Sequence, residues 1–223
     1  MTKKQKRKPR NKSILVIGMG RFGRHLAMSM QKNGNSVFAI DKEESIMQDL
    51  ADVLENTMIA DCTKESFLQT LGVSNYDICY VATGETFEAT MLITSYLKRH
   101  GAKYIVTKAS SDIHIELLKI IGADEVIYPE RDMAAKTAIK HSNVGVIDYL
   151  PLSRDYSIFE IEVPPAWIGS NIVKLRIRQK YNVNVLLVLY GGKNKVVDAE
   201  YVFKEGDIVV LMGTDKDVLK LRL

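Results

Sequence analysis

The stretch from Gly18 to Gly23 constrains the fold more than any other part of this sequence. It reads Gly-Met-Gly-Arg-Phe-Gly and fits the pattern G-x-G-x-x-G. An apolar run, 13–17, leads into it as a buried strand, and apolar side chains leave it at helical spacing. In such a unit the first glycine allows the turn, the second lets backbone approach a phosphate, and the third lets the helix pack on the strand. The stretch therefore predicts a site for nucleotide phosphates at a helix N-terminus.

An acidic residue, Asp41, stands where dinucleotide-binding folds hold a ribose. It closes a second apolar run, 36–40, and lies about 20 residues beyond the glycine stretch. A carboxylate in this place accepts hydrogen bonds from ribose hydroxyls and repels a 2′-phosphate, which disfavours NADP. The alternative is a glycine turn that binds no ligand.

The cysteine count and the apolar pattern predict a protein of the cytoplasm. Two cysteines in 223 residues do not make a disulfide framework, so we expect a reducing compartment. No run reaches the roughly 18 apolar residues that would indicate a membrane span. The length suits one large domain or two small ones.

Positive charge is concentrated in the first twelve residues. Seven of them are Lys or Arg, and removing these from the 31 basic residues leaves 24 against 27 acidic ones. We expect a basic disordered arm over 1–12, either solvated or in contact with anionic lipid or an acidic partner surface. Because the rest of the chain supplies no basic stripe, nucleic-acid binding is not expected.

Short apolar runs alternate with helical patterns as far as residue 129. The predicted strands are 13–17, 36–40, 57–60, 77–81, 103–107 and 125–128. One predicted helix begins at Phe22. The other predicted helices cover 43–54, 65–71, 86–100 and 112–121. Because each strand is almost continuously apolar, we predict an α/β fold, a Rossmann-like doubly wound parallel sheet.

The pattern changes after residue 129. We predict a helix over 131–142 and a connector over 144–151. A small α+β domain follows, with strands over 156–163, 183–190, 195–197 and 208–212, a helix over 170–180, and a last short helix from Asp215. The expected domains are a nucleotide-binding domain at 13–129, a crossover helix and hinge at 130–152, and a C-terminal domain at 153–223.

Ligands of parallel sheets sit beyond the carboxyl ends of the strands, so the polar and small residues there are candidate contacts. They are Gly18, Met19, Gly20, Arg21, Phe22, Gly23, Asp41, Lys42, Asp61, Cys62, Thr63, Ala82, Thr83, Gly84 and Glu85. Asp61 and Cys62 are expected to flank the adenine. Two alternatives stay open: Asp61 caps the next helix, or Cys62 is a small core residue.

These motifs resemble those of the RCK family, the cytosolic regulatory subunits of Ktr/Trk-type potassium transporters, and its KtrA-type members most of all. The resemblance rests on Val-Ile-Gly-Met-Gly-Arg-Phe-Gly, on Asp-Cys-Thr at 61–63, and on Pro-Glu-Arg-Asp-Met at 129–133. It covers nearly the whole chain beyond the arm. It implies a nucleotide-binding N-lobe, a crossover helix that dimerises the lobes, and a C-terminal ligand lobe. It also implies an octameric ring at the inner face of the cell membrane, under a potassium channel subunit of the KtrB/TrkH type.

The resemblance also implies a ligand set. It favours ATP and ADP over the alternative, NAD(H), and Arg21 agrees because a long cation at the phosphate end gains most from a terminal phosphate. Lys108 is expected to meet a phosphate or the base edge. Glu130, by the same resemblance, lies near the nucleotide at a subunit interface, where it would hold Mg²⁺ or Ca²⁺ on the terminal phosphate. The alternative is an acidic residue favoured by a helix N-terminus.

A second ligand is expected in the C-terminal domain. Ile177, Arg178, Tyr181 and Asn184 resemble the residues with which related lobes hold cyclic di-AMP across a dimer interface. Arg178 would pair with phosphate and Asn184 with a base edge. This chain has Asp198 where many relatives have a proline. An acidic side chain there would repel an anionic ligand. An ordinary dimer interface is the alternative.

A soluble NAD(H)-dependent oxidoreductase is the alternative function. Tyr104 and Lys108 have the Tyr-x-x-x-Lys spacing of short-chain reductases, but that motif works on a helix and here falls on a predicted strand. We interpret Tyr104 as a packing residue. His114 and Glu116 lie two apart on a predicted helix and make a poor metal pair. We therefore expect a regulatory subunit that senses nucleotide and controls potassium uptake, and no enzyme.

Overall fold

The computed structural model describes residues 11–84, 86–153, 155–191, 193–218 and 220–221. The chain divides into two compact units, residues 1–129 and 130–223. Most of the predicted basic arm and the candidate site residue Glu85 lie outside the described residues. No helix within the described ranges has both the length and the apolar character that crossing a membrane requires.

The first unit alternates strand and helix throughout. Its strands are β1 (Ser13–Ile17), β2 (Ser36–Asp41), β3 (Asn56–Ile59), β4 (Ile78–Val81), β5 (Ile105–Lys108) and β6 (Glu125–Ile127). Its helices are α1 (Arg21–Lys32), α2 (Glu44–Ala51), α3 (Glu65–Thr70), α4 (Phe87–Arg99) and α5 (Asp112–Ile121), with a 3₁₀ turn at Val73–Asn75. The strands are parallel in the order β3-β2-β1-β4-β5-β6, which confirms the predicted Rossmann-like sheet. The strand order reverses between β1 and β4, where folds of this type bind nucleotides.

Alternate residues of β1 explain why its sequence is apolar without interruption. Leu15 and Ile17 belong to one buried cluster and Ile14 and Val16 to another, on opposite faces of the sheet. Helices cover both faces, so β1 is buried from Ile14 to Ile17 and only Ser13 at its start is half-buried. Two free thiols, those of Cys62 and Cys79, are also buried in this unit. These residues are 4% and 0% exposed.

The second unit contains an antiparallel sheet. Its strands are β7 (Val146–Pro151), β8 (Tyr156–Glu162), β9 (Asn184–Tyr190), β10 (Lys193–Lys195) and β11 (Ile208–Thr214), in the order β10-β9-β11-β8-β7. Its helices are α6 (Pro129–Ser142), α7 (Ile172–Leu175), α8 (Ile177–Tyr181) and α9 (Asp215–Val218), with a 3₁₀ turn at Pro165–Trp167. The small α+β C-terminal fold is confirmed. Trp167, Phe159 and Phe203 are its largest fully buried side chains.

Three sequence-based predictions for the second unit are wrong. The predicted connector is strand β7, which pairs with β8 and buries Val146 and Tyr149 in the core. The predicted helix over 170–180 is two short helices, because Arg176 adopts a left-handed conformation with φ +46° and ends the first. The strand expected at 195–197 lies two residues earlier, as β10.

The three glycines of the G-x-G-x-x-G stretch have different surroundings. A Cβ on Gly23 would lie 1.8 Å from the carbonyl oxygen of Gly18, so α1 can approach β1 only without a side chain there. Gly18 has φ +95°, and a Cβ on it would lie 2.7 Å from the backbone nitrogen of Thr83. By contrast, no described atom lies within 4 Å of a Cβ built on Gly20. Gly18 and Gly23 are therefore required by packing, and Gly20 leaves the approach to the helix N-terminus open.

We expect Gly23→Ala to destabilise the first unit by about 3 kcal/mol or more, because backbone must move to admit the methyl group. Gly20→Ala is the matched control and should change the free energy of unfolding by less than about 0.5 kcal/mol. Urea unfolding followed by circular dichroism measures both. Equal stability of the two variants would contradict the packing role of Gly23.

A second expected outcome concerns pH. Burial raises the pKa of the Cys62 and Cys79 thiols to about 12. Because these thiols lose protons first in the unfolded chain, the free energy of unfolding should fall as pH rises above about 9, by up to about 1.4 kcal/mol per pH unit for each thiol. Comparing urea unfolding at about pH 8 and about pH 9.5 in wild type and Cys79→Ala measures this slope. An identical slope in both proteins would contradict the assignment to the thiol.

Candidate functional site

A cleft of about 270 Å³ opens at the carboxyl ends of β1 to β4, in the first unit. Many of the predicted nucleotide contacts line it. They are Gly18, Gly20, Asp41, Lys42, Asp61, Cys62, Thr63, Thr83 and Gly84. The cleft also has an apolar wall that sequence patterns did not predict, which Ile46, Ala60, Ala89 and Ile93 complete. Such a wall suits the flat face of a base, and only the tertiary fold brings these four residues together.

Asp41 connects the end of β2 to the glycine turn. Its Oδ2 accepts a hydrogen bond from the backbone N–H of Met19 at 2.5 Å, and its Oδ1 accepts one from the N–H of Glu43 at 3.0 Å. A carboxylate oxygen can accept about two hydrogen bonds, so each oxygen keeps capacity for a ribose hydroxyl. Asp41 therefore has a structural role that the sequence did not predict, and it remains suited to the ribose.

The N-terminus of α1 is arranged for an anion. Because its N-cap residue is Gly20, no side chain caps the first N–H groups. The helix, which is described throughout, has no acidic residue in its first turn and instead carries Arg21 and Arg24 there. Cations at this end are repelled by the positive end of the helix dipole. A bound anion would offset that repulsion. Arg24 Nε donates to the carbonyl oxygen of Met19 at 3.4 Å, whereas Arg21 is exposed.

The other end of the cleft contains Asp61 and Cys62. Asp61 Oδ1 accepts hydrogen bonds from the hydroxyl of Thr63 at 2.6 Å and from its N–H at 3.0 Å. The hydroxyl bond is the main cause that lowers the pKa of Asp61. The N-cap position of α3 belongs to Lys64, so the capping alternative for Asp61 is wrong. Cys62 is both buried and part of the cleft lining, which combines its two predicted roles.

Several predicted residues support the cleft without lining it. Met19, Gly23 and Ala82 are buried, and Phe22 is half-buried in the first turn of α1. Their contribution is to shape the turn. Lys108 lies at the end of β5 and lines a neighbouring recess that shares Thr83 and Gly84 with the cleft.

Glu130 lies in the first turn of α6, in the second unit. Among the described residues, no group of three or more His, Cys, Asp or Glu side chains could hold a metal ion. Tyr104 is not a packing residue as predicted: it is 39% exposed, and its hydroxyl donates to Glu125 Oε2 at 3.2 Å. It precedes β5, so Tyr104 and Lys108 do not share a helix face.

The predicted second-ligand residues lie along α8 and the start of β9. Ile177 is 1% exposed and belongs to the core, so its side chain supports the fold there. Tyr181 is half-buried, with its ring 5.7 Å from that of Trp167. Arg178 is exposed and Asn184 is half-buried. Arg178 is thus the one charged residue of this set, and its side chain is accessible to a ligand.

Comparison with known proteins agrees with this architecture. The TrkA-N domain matches residues 14–129 and the TrkA-C domain matches residues 157–223. Ktr system potassium uptake protein C of Bacillus subtilis (strain 168) is 36% identical, over 93% of this chain and 94% of its own. Ktr system potassium uptake protein A of the same organism is 34% identical, over 94% and 95%. The similarity therefore spans both units.

A solved structure shows the same fold at lower identity. The GsuK channel bound to NAD superposes with a TM-score of 0.66 at 17% sequence identity, covering 94% of this chain and 39% of that chain. This chain therefore corresponds to less than half of the channel. The two domain matches and the two relatives confirm the resemblance found in the sequence: the chain belongs to the TrkA-N/TrkA-C family of Ktr- and Trk-type potassium uptake proteins.

Proposed function

We propose that this protein is the nucleotide-sensing regulatory subunit of a potassium uptake system. The observation that carries the proposal is the cleft, in which Asp41, suited to bind a ribose, lies near the uncapped N-terminus of α1, suited to bind phosphate. The names of the Bacillus subtilis relatives supply the biological setting, potassium uptake. The protein would work in the cytoplasm, at the inner face of the membrane, through a KtrB/TrkH-like channel subunit.

Adenine nucleotides are the proposed ligands, with ATP and ADP preferred to NAD(H). The relative solved with NAD supports a nucleotide in this fold without fixing which one. Arg21 and Arg24 lie in the first turn of α1, and a third phosphate near that turn would gain more from their positive charges than the neutral ribose of a dinucleotide would. Asp41 opposes a 2′-phosphate, which argues against NADP.

The proposed assembly is a homo-octameric ring built from dimers. None of the residues of α6 is buried in the isolated chain, and Met133 is 62% exposed. Ile139 packs against the core of the second unit. The proposed dimer face of α6 is therefore Met133 with the exposed Ala134 and Ala138, whose small side chains allow close helix approach.

Cyclic di-AMP is the proposed second ligand, bound where two C-terminal units meet. Arg178 would pair with its phosphates and Asn184 with a base edge. Asp198 would repel the anionic ligand only if its carboxylate faces the site. Its Oδ1 accepts a hydrogen bond from the N–H of Glu200 at 3.2 Å. An ordinary dimer contact at the same place would leave cyclic di-AMP without effect.

Calorimetry tests the proposed function directly. ATP, ADP, NADH and cyclic di-AMP are titrated into the full chain, and light scattering gives the particle mass on the same sample. We expect heat from ATP and ADP and a mass well above that of one 25.1 kDa chain. NADH turnover with simple acceptors would instead identify the oxidoreductase. Absence of heat with every adenine nucleotide would overturn the proposal.

We expect Asp41→Ala to weaken ATP and ADP binding by about 1 kcal/mol or more, the cost of losing charged hydrogen bonds to a ribose. Because Asp41 also accepts from Met19, the variant's urea unfolding is measured beside its calorimetry. Asp49→Asn, on the exposed side of α2, is the matched control and should bind as wild type does. Unchanged ATP affinity in a folded Asp41→Ala protein would contradict the ribose assignment.

The proposed switch between ATP and ADP depends on Arg21 and Glu130. The two nucleotides differ by one phosphate, so only groups at that end can discriminate between them. Arg21 is exposed at the phosphate end, with a long side chain. A carboxylate would repel a bare phosphate, so Glu130 fits better as a ligand of a bridging Mg²⁺ or Ca²⁺ ion. If a nucleotide binds one ring shape more tightly than the other by about 1.4 kcal/mol per site, the equilibrium between the two shapes changes tenfold.

For this switch we expect Arg21→Ala to weaken ATP more than ADP, and Glu130→Gln to abolish the effect of a divalent cation on ATP affinity. Calorimetry with and without Mg²⁺ or Ca²⁺ measures both, and Asp132→Asn in the same turn of α6 is the control. If Arg21→Ala weakens both nucleotides equally, Arg21 does not sense the third phosphate. If Glu130→Gln retains the cation effect, the metal bridge is wrong.

A further inference from the structure

A second recess lies beside the nucleotide cleft, at the carboxyl ends of β4 and β5. It encloses about 120 Å³, room for roughly four water molecules at ~30 Å³ each. Its polar lining consists of Thr83, Thr86, Thr90, Lys108, Ser110 and His114. Except for Thr83 and Lys108, the proposed nucleotide function gives none of these residues a role.

The recess adjoins the phosphate end of the cleft. Thr83 and Gly84 line both spaces, and the backbone of Thr83 packs directly against Gly18. A nucleotide with its phosphates at the N-terminus of α1 would therefore have this recess beside its phosphate chain. No intervening strand separates the two, because β4 is the neighbour of β1 in the sheet.

His114 is held in place by two contacts. Its ring stacks on Phe87 with 3.7 Å between centroids and 7° between planes, and its Nδ1 lies 3.0 Å from the Ser110 hydroxyl. An aromatic face favours a cation above it, which suits the imidazolium form. In this orientation of the ring, Nδ1 is paired with the Ser110 hydroxyl.

The Ser110–His114 pair presents different donors in its two protonation states. In the neutral imidazole that accepts from Ser110 at Nδ1, only Nε2–H remains to donate outward. In the imidazolium, Nδ1–H donates to Ser110, so the serine hydroxyl is released to donate elsewhere. Protonation thus adds one donor and one positive charge to the recess. Histidine is the side chain that makes this change between about pH 5 and 8.

The other groups around the recess also favour an anion. Lys108 lines it from β5, and the N-terminal ends of α4 and α5, helices of 13 and 10 residues, stand at its margin. The nearby acids in sequence are Glu88, Asp112 and Glu116 on those helices and Glu85, which lies outside the described residues; no described carboxylate lines the recess. The Thr86 hydroxyl accepts from the N–H of Ala89 at 3.1 Å and keeps its own proton to donate.

We propose that this recess is a proton-linked phosphoryl subsite, in which Ser110 and His114 bind a tetrahedral anion more tightly when His114 is protonated. The anion is either the distal phosphoryl group of the nucleotide in the cleft or free orthophosphate. In the first case the subsite rests on the proposed nucleotide function, and in the second it does not. Ligand affinity would then be higher when His114 is protonated than when it is neutral.

Calorimetry at about pH 6 and about pH 8 tests the subsite with AMP, ATP, orthophosphate and sulfate. Sulfate is included because its charge does not change between these pH values. We expect wild type to bind ATP, sulfate or both about tenfold more tightly at the lower pH, the worth of one charged hydrogen bond. His114→Gln and Ser110→Ala should lose this dependence. His25→Gln, an exposed histidine on α1, should retain it.

The titrations separate the possible outcomes. A pH effect on ATP that requires His114, without sulfate binding, assigns the subsite to the distal phosphoryl group. Sulfate binding in the presence of AMP assigns it to a free anion. Failure of AMP and ATP to bind at any pH contradicts the nucleotide function, while the sulfate titration still tests the recess. Equal affinities and equal pH dependence in wild type and His114→Gln overturn the subsite.

A measurement on the wild-type protein avoids reliance on variants that fail to fold. The imidazole proton resonances of His114 are followed by NMR while sulfate, and then ATP, is added. Binding in the recess should shift these resonances. Resonances that do not respond to saturating sulfate or ATP would equally overturn the proposal.

Discussion

The close approach of α1 to β1 is the constraint on which the first unit depends. Gly23 lies against the carbonyl oxygen of Gly18, and Gly18 lies against the backbone of Thr83, so β1, α1 and the end of β4 meet with no side chain between them. This contact sets the position of the helix N-terminus relative to the sheet. The cleft, the exposed N-terminus of α1 and the neighbouring recess all follow from it, because each is bounded by one of these three segments.

The fold of the first unit could be predicted from the sequence because each of its elements carries a local signal. Buried parallel strands are apolar without interruption, and glycines or capping residues mark the helix ends. In the second unit the signals are weaker. β7 was missed because Asp148 and Pro151 interrupt its alternation, and only pairing with β8 makes it a strand. The helix break at Arg176 depends on the left-handed backbone conformation of that residue. Because Arg176 is not a glycine, the sequence did not predict this conformation.

The candidate site was predictable where sequence spacing alone places residues, and unpredictable where the fold does. Asp41 and the glycine turn have a fixed spacing, so their meeting in the cleft could be foreseen. The apolar wall that includes Ile46 and Ile93 brings together separate helices, which no local pattern encodes. The stacking of His114 on Phe87 is of the same kind, since one ring comes from α5 and the other from α4.

The double use of Asp41 has a consequence for cofactor engineering. Changing the preference of a dinucleotide-binding fold from one cofactor to another commonly means replacing the acid at the end of the second strand. Here that acid also accepts a hydrogen bond from the N–H of Met19, so the proposed ribose contact also holds the glycine turn in place. Selectivity and turn geometry cannot be altered independently at this position. A redesigned preference would have to supply a new acceptor for that N–H, from a second substitution or from the ligand.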